Sequence, residues 1–137
     1  MEDMYIMKYH YYAVLEREGD YYNVYFPDLP GALTFGENIE EAVLMAQDAL
    51  EGHLLVMEDD HDDIPMPSKY SELLKDLKDN EQLQLVIADT RLTRIKEENK
   101  TINKMVTLPK YMVELGKEKG VNFSQTLQRA LKEELNI

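Results

Sequence analysis

YHYYAVLEREGDYYNVYFPDLPGALTFG, residues 9–36, has the pattern of three short strands joined by tight turns. Tyr9–Glu16 and Tyr21–Phe26 are rich in Tyr and Val, side chains that fit a pleated, half-buried surface. Glu18-Gly19-Asp20 between them supplies turn chemistry, so the pair predicts a β-hairpin. Pro27-Asp28-Leu29-Pro30-Gly31 cannot continue the second strand, because two prolines remove ladder donors and Gly31 admits a tight turn. Ala32–Phe35 then reads as a short third strand, stopped at Gly36.

The next segment predicts a helix from Ile39 to Met57. Asn38 is suited to the N-cap, and Glu41 three residues on completes a capping-box pattern. Ile39, Ala42, Val43, Ala46, Leu50, Leu54 and Met57 recur at helical spacing and form one apolar stripe to lie across the sheet. The acidic run Glu58–Asp63 ends this helix, Ile64–Ser68 reads as irregular, and a shorter helix is expected over 69–78. Leu83–Ala88 reads as a further strand closing the sheet. The order β-β-β-α-(α)-β makes residues 1–89 an α+β domain of one sheet and its helices. Residues 90–100 are highly charged and lack an apolar face, so they read as a linker with at most a helical turn.

The last segment, residues 101–137, has a different grammar. Thr101–Leu108 alternates as a strand, with Ile102, Val106 and Leu108 on one face and Thr101, Asn103, Met105 and Thr107 on the other. Pro109 opens a helix ending near Lys119, with Gly120 at the C′ position. Ser124 is expected to cap a second helix whose stripe is Leu127, Ala130, Leu131 and Leu135. One strand and two helices are too little to bury a core, so this module must pair with a second copy.

Composition separates the two halves. The chain has 137 residues, a net charge of -12, 44% hydrophobic residues and no cysteine, which excludes disulfide frameworks and Cys-based zinc sites. Residues 1–89 carry 21 acidic and 5 basic side chains, a net of -16, whereas residues 90–137 carry 6 and 10, a net of +4. Two surfaces for different partners are the natural reading. No apolar run approaches the roughly 18 residues of a membrane span, and Met1–Tyr12 lacks the pattern of a secretion leader, so a cytoplasmic location is expected.

Catalytic chemistry finds little support. A two-metal nuclease needs several converging carboxylates, yet the first strand has none before its end and the second has none. Glu58–Asp63 with His61 could attract a cation, but adjacent acids in a loop read as solvated, so no metal site and no cofactor are expected. His10 and His53 stand apart from any nucleophile pattern, and no catalytic residue is assigned.

Strand, Leu-Pro, helix, Gly-x-x-x-Ser, helix over residues 101–137 resembles the ribbon-helix-helix family. The resemblance implies two strands paired as an antiparallel ribbon that enters the major groove. Thr101, Asn103, Met105 and Thr107 would then face the bases, and the backbone around Phe123 and Ser124 would anchor a phosphate. Lys104 departs from the pattern, since that position is usually apolar, and would reach toward phosphate instead. The bland alternative is that the module only dimerises the chain.

Phe26-Pro27-Asp28-Leu29-Pro30-Gly31-Ala32, Phe35-Gly36-Glu37 and the Glu-Glu-Ala of the following helix resemble the HicB antitoxin family over about residues 5–90. The resemblance implies an incomplete ribonuclease H-like domain that covers HicA, a small basic ribonuclease toxin, plus a DNA-binding tail that represses its own operon as a homodimer or higher oligomer. An acidic surface suits competition with RNA. Asp20, Tyr22, Asp28 and Glu37, in and around the turns, are the toxin contacts expected. Two other readings stay open: a ribbon-helix-helix repressor whose acidic domain senses a ligand, and a metal-dependent nuclease.

Overall fold

The computed structural model describes residues 8–97 and 101–137. They fall into two compact units, Met1–Asn99 and Lys100–Ile137.

In the first unit, β1 (Lys8–Glu18), β2 (Tyr21–Tyr25) and β3 (Leu33–Gly36) precede α1 (Ile39–Asp59). Then come α2 (Tyr70–Leu74), β4 (Glu81–Asp89) and α3 (Thr90–Glu97). The sheet has the order β3-β2-β1-β4 and is antiparallel throughout. Gly19, with φ +62°, takes the first central position of the two-residue turn that pairs Glu18 with Tyr21. The hairpin, the third strand, the long helix and the closing strand stand where the pattern predicts, within a few residues.

Alternation explains which face is covered. Tyr11, Ala13 and Leu15 of β1, Val24 of β2, and Val86 and Ala88 of β4 point to one side and are buried. Ala42, Ala46, Leu50 and Leu54 of α1 meet them, all at 0% exposure. The register enforces this layer, because Leu15 stands opposite Val24 and Tyr11 opposite Val86. Asn38 caps α1 as expected, its Oδ1 accepting the Glu41 N–H at 2.8 Å. Glu41 returns to the Glu37 N–H, one residue earlier than the standard box. At Gly36 a Cβ would lie 2.3 Å from the Ala42 nitrogen, so the small residue sets how closely β3 approaches α1.

Two expectations for the first unit are corrected. The helix expected over 69–78 is only Tyr70–Leu74 and buries no residue. The segment 90–100, read as a linker, is helical over Thr90–Glu97 and has Thr90 at 0% exposure. Polar bonds rather than an apolar stripe hold this helix, which is why periodicity does not reveal it. Asp89 Oδ1 accepts the Leu92 N–H at 3.0 Å, as an N-cap carboxylate does.

The second unit contains α4 (Lys110–Glu118) and α5 (Phe123–Leu135). Gly120, at φ +68°, ends α4 in a Schellman motif, with Val121 N–H on the Gly116 carbonyl and Gly120 N–H on that of Lys117. The expected strand at 101–108 is not a ladder strand here, since no other described strand pairs with it. The expected cap at Ser124 is also corrected: Asn122 is the N-cap, its Oδ1 accepting the Gln125 N–H at 3.0 Å. No residue of α4 or α5 is buried. The stripe expected to be buried is open, with Leu127 37%, Leu131 47% and Leu135 62% exposed.

Candidate functional site: two recognition surfaces

In the first unit the register sorts the four expected contacts. Tyr22 stands opposite Gly36, so Asp20, Tyr22 and Glu37 gather at the hairpin-turn end of the sheet. Asp28 lies beyond the opposite end of β2. Its carboxylate is already used: Oδ2 accepts the Ser68 N–H at 2.7 Å and Oδ1 the Ser68 hydroxyl at 2.5 Å. It pins the 64–68 strap, to which the Tyr11 hydroxyl also donates at the Pro65 carbonyl. Tyr22 points toward α1 and packs against the core, whereas Asp20 and Glu37 are exposed.

Several tyrosines are structural. Tyr9 donates to Glu58 at 2.7 Å, and Tyr25 to Glu81 at 3.0 Å. Burial first, then the accepting carboxylate, pushes each of these phenols up to about 12. Burial and the Asp28 charge raise Tyr11 as well. Glu58 belongs to the acidic run, yet it is turned inward, accepting from Tyr9, from the Thr90 hydroxyl at 2.8 Å and from Arg94 at 3.0 Å. Arg94 also meets Asp59 at 3.0 Å, and the hydrogen bonds to Glu58 and then Asp59 raise its pKa. Among the described residues no group of three or more His, Asp or Glu is placed to hold a metal ion.

The sheet face away from α1 carries what the sequence reading missed. Leu33 and Phe35 of β3 are 69% and 57% exposed there. On β2, directly opposite Phe35, Asn23 donates to Glu18 at 2.7 Å and to Glu16 at 3.3 Å. Alternation along β3 against the buried Gly36 is the signal that could have found the pair.

In the second unit, Thr101, Asn103, Met105 and Thr107 are all exposed, Met105 at 94%. Val106 and Leu108, with the stem of Lys104, line one side of an apolar groove of about 570 Å³. Met112, Phe123, Leu127 and Ala130 from the helices line the rest. With Asn122 at the cap, Phe123 and Ser124 occupy the first two helical positions, whose N–H groups have no intrahelical acceptor. Among the described residues, no helix is long and apolar enough to cross a membrane.

Comparison with known proteins places the chain in a family. Residues 11–128 match the model described as the HicB-like antitoxin of bacterial toxin–antitoxin systems. The protein is therefore an antitoxin in class, and the chain belongs to the HicB-like antitoxin family. It is 38% identical to antitoxin HicB 2 of Photorhabdus laumondii over 69 residues, half of each chain. It is 26% identical over 99 residues, 72% of each chain, to an uncharacterised 14.9 kDa protein of Haemophilus phage HP1. Among solved structures, a chain of a toxin–antitoxin complex from Streptococcus pneumoniae aligns with a TM-score of 0.52 at 27% identity, covering 93% of this chain and 99% of that one. A chain of the HicA3–HicB3 toxin–antitoxin complex shares the fold, with a TM-score of 0.51 at 21% identity over 59% of this chain and 99% of its own.

Proposed function

We propose that this antitoxin acts stoichiometrically, without catalysis of its own, through two separate recognition units. The first, an incomplete ribonuclease H-like domain, covers a HicA-like toxin, a small basic ribonuclease. The second pairs with its copy in another chain as a ribbon-helix-helix module and represses the operon by binding its operator. The observation that carries this reading is the contrast between the units. With the boundary at Asn99, residues 1–99 hold 23 acidic and 8 basic side chains, a net of -15, whereas residues 100–137 hold 4 and 7, a net of +3. An RNA-binding toxin must be basic, so an acidic cover competes with its RNA.

For the second unit, the open groove supports pairing. A second copy would lay its 101–108 segment antiparallel to the first, supply the missing ladder bonds and close the apolar stripe. Asn103, Met105 and Thr107, with Thr101 further out, would then face the major groove, Asn103 being suited to adenine. Lys104 would reach phosphate, and the free N–H groups of Phe123 and Ser124 would hold another. Asp20, Tyr22 and Glu37 remain the expected toxin contacts at one end of the sheet. Asp28 contributes by holding the 64–68 strap.

Co-purification with the product of the adjoining gene, followed by an RNA-cleavage assay on that partner, tests the reading. Binding of a small basic protein and loss of its ribonuclease activity are expected. A partner that cleaves RNA unhindered at excess antitoxin would refute it.

A further inference from the structure

The edge strand β3 presents Leu33 and Phe35 two residues apart on the sheet face opposite α1, at 69% and 57% exposure. Edge strands in soluble proteins are commonly blunted by Lys, Pro or bulges, yet β3 reads Leu-Thr-Phe-Gly and has none of these. We propose that this corner of the outer face, with Leu33 and Phe35 as its apolar anchors, is where the first unit docks the toxin. The inference rests on the toxin-neutralising reading and deepens it by fixing the surface.

Charge selects the occupant. Glu16 stands opposite Asn23 and Asn23 opposite Phe35, so Glu16 and Glu18 border the apolar pair on the same face. Asn23 donates to both carboxylates and holds two like charges side by side. Asp20 at the hairpin tip and Glu37 just past β3 extend the acidic border. Arg17 is the only Lys or Arg between residues 9 and 68, and it lies on the opposite pleat of β1. An apolar centre ringed by carboxylates fits a basic protein that offers its own apolar patch. A second copy of this chain fits worse, because an isologous contact brings the same carboxylates face to face.

The test uses the full chain and the toxin co-expressed from the adjoining gene. Leu33→Thr with Phe35→Thr keeps strand propensity while removing the apolar anchors. Toxin affinity is expected to fall about thirtyfold or more, the loss typical of a central anchor. Thermal unfolding and oligomeric size should stay as in the wild type. Leu85→Thr with Ile87→Thr, on the same face beside β1, should bind within about threefold of wild type, as contacts outside the anchor cluster do. Unchanged binding of the L33T/F35T chain, while the wild type binds, overturns the proposed surface and leaves the antitoxin reading intact. A smaller assembly in that variant would make the corner a contact between copies and overturn it too. Equal loss in the L85T/I87T chain would overturn the location. Failure of the wild type to bind the toxin defeats the antitoxin reading itself.

Discussion

At the scale of the residue, the polar side chains that matter are those whose partners lie far away in sequence. Glu58 joins Tyr9, 49 positions earlier, to Thr90 and Arg94, 32 and 36 positions later. Short-range chemistry was legible: Asn38 as a cap, Gly19 in the hairpin and Gly120 at C′ each act on a neighbour a few residues away. Glu58 was not, because within Glu58–Asp63 nothing local distinguishes it from solvated acids. The phenols give a pH prediction. Tyr9 and Tyr25 lose their protons near 12 in the folded chain and near 10 once unfolded. Their contribution is therefore fully present below pH 10 and is lost as pH rises from 10 to 12. Denaturant unfolding at stepped pH should show a plateau to about pH 10 and a steep fall above it, less steep in Tyr25→Phe. If all tyrosines of the folded chain ionise together near 10 by absorbance, the half-buried phenol–carboxylate pairs are wrong. Gly36→Ala should destabilise by about 1–3 kcal/mol, since its Cβ would press on α1 backbone. Equal denaturation midpoints would argue against that contact.

At the scale of the element, periodicity identified what hydrophobic burial holds and missed what polar bonds hold. The stripe of α1 is visible in the sequence because Ala42, Ala46, Leu50 and Leu54 all pack on the sheet. Leu50→Ala should accordingly cost about 2–5 kcal/mol in chemical unfolding, and a cost below 1 would place Leu50 outside the core. Helix α3 shows the opposite case, with Thr90 as its one buried residue. Glu58→Gln removes the charge that receives Arg94 and weakens the acceptor for Tyr9 and Thr90. Hydrogen exchange over Thr90–Glu97 should speed up by roughly tenfold, in line with about 1–3 kcal/mol for a disrupted buried polar group. Protection of α1 should persist. Unchanged exchange in α3 would mean that something other than Glu58 holds it. The second unit differs again: 101–108 alternates in sequence, but among the described residues no strand pairs with it.

At the scale of the whole molecule, the two halves of the sequence carry opposite net charge, and α3 at Thr90–Glu97 falls within the first compact unit. The acidic character of the first unit was readable from composition. Its apolar corner at Leu33 and Phe35 was not, since exposure depends on which face α1 covers. On the proposed function, toxin neutralisation and DNA binding reside on separable units of one chain. Deletion of residues 101–137 tests it most directly, with toxin RNA cleavage and operator binding measured on the same preparation. Residues 1–100 should still silence the toxin while operator binding disappears. A truncated chain that no longer inhibits, although its sheet unfolds with a normal cooperative transition, would contradict it by making the second unit part of neutralisation.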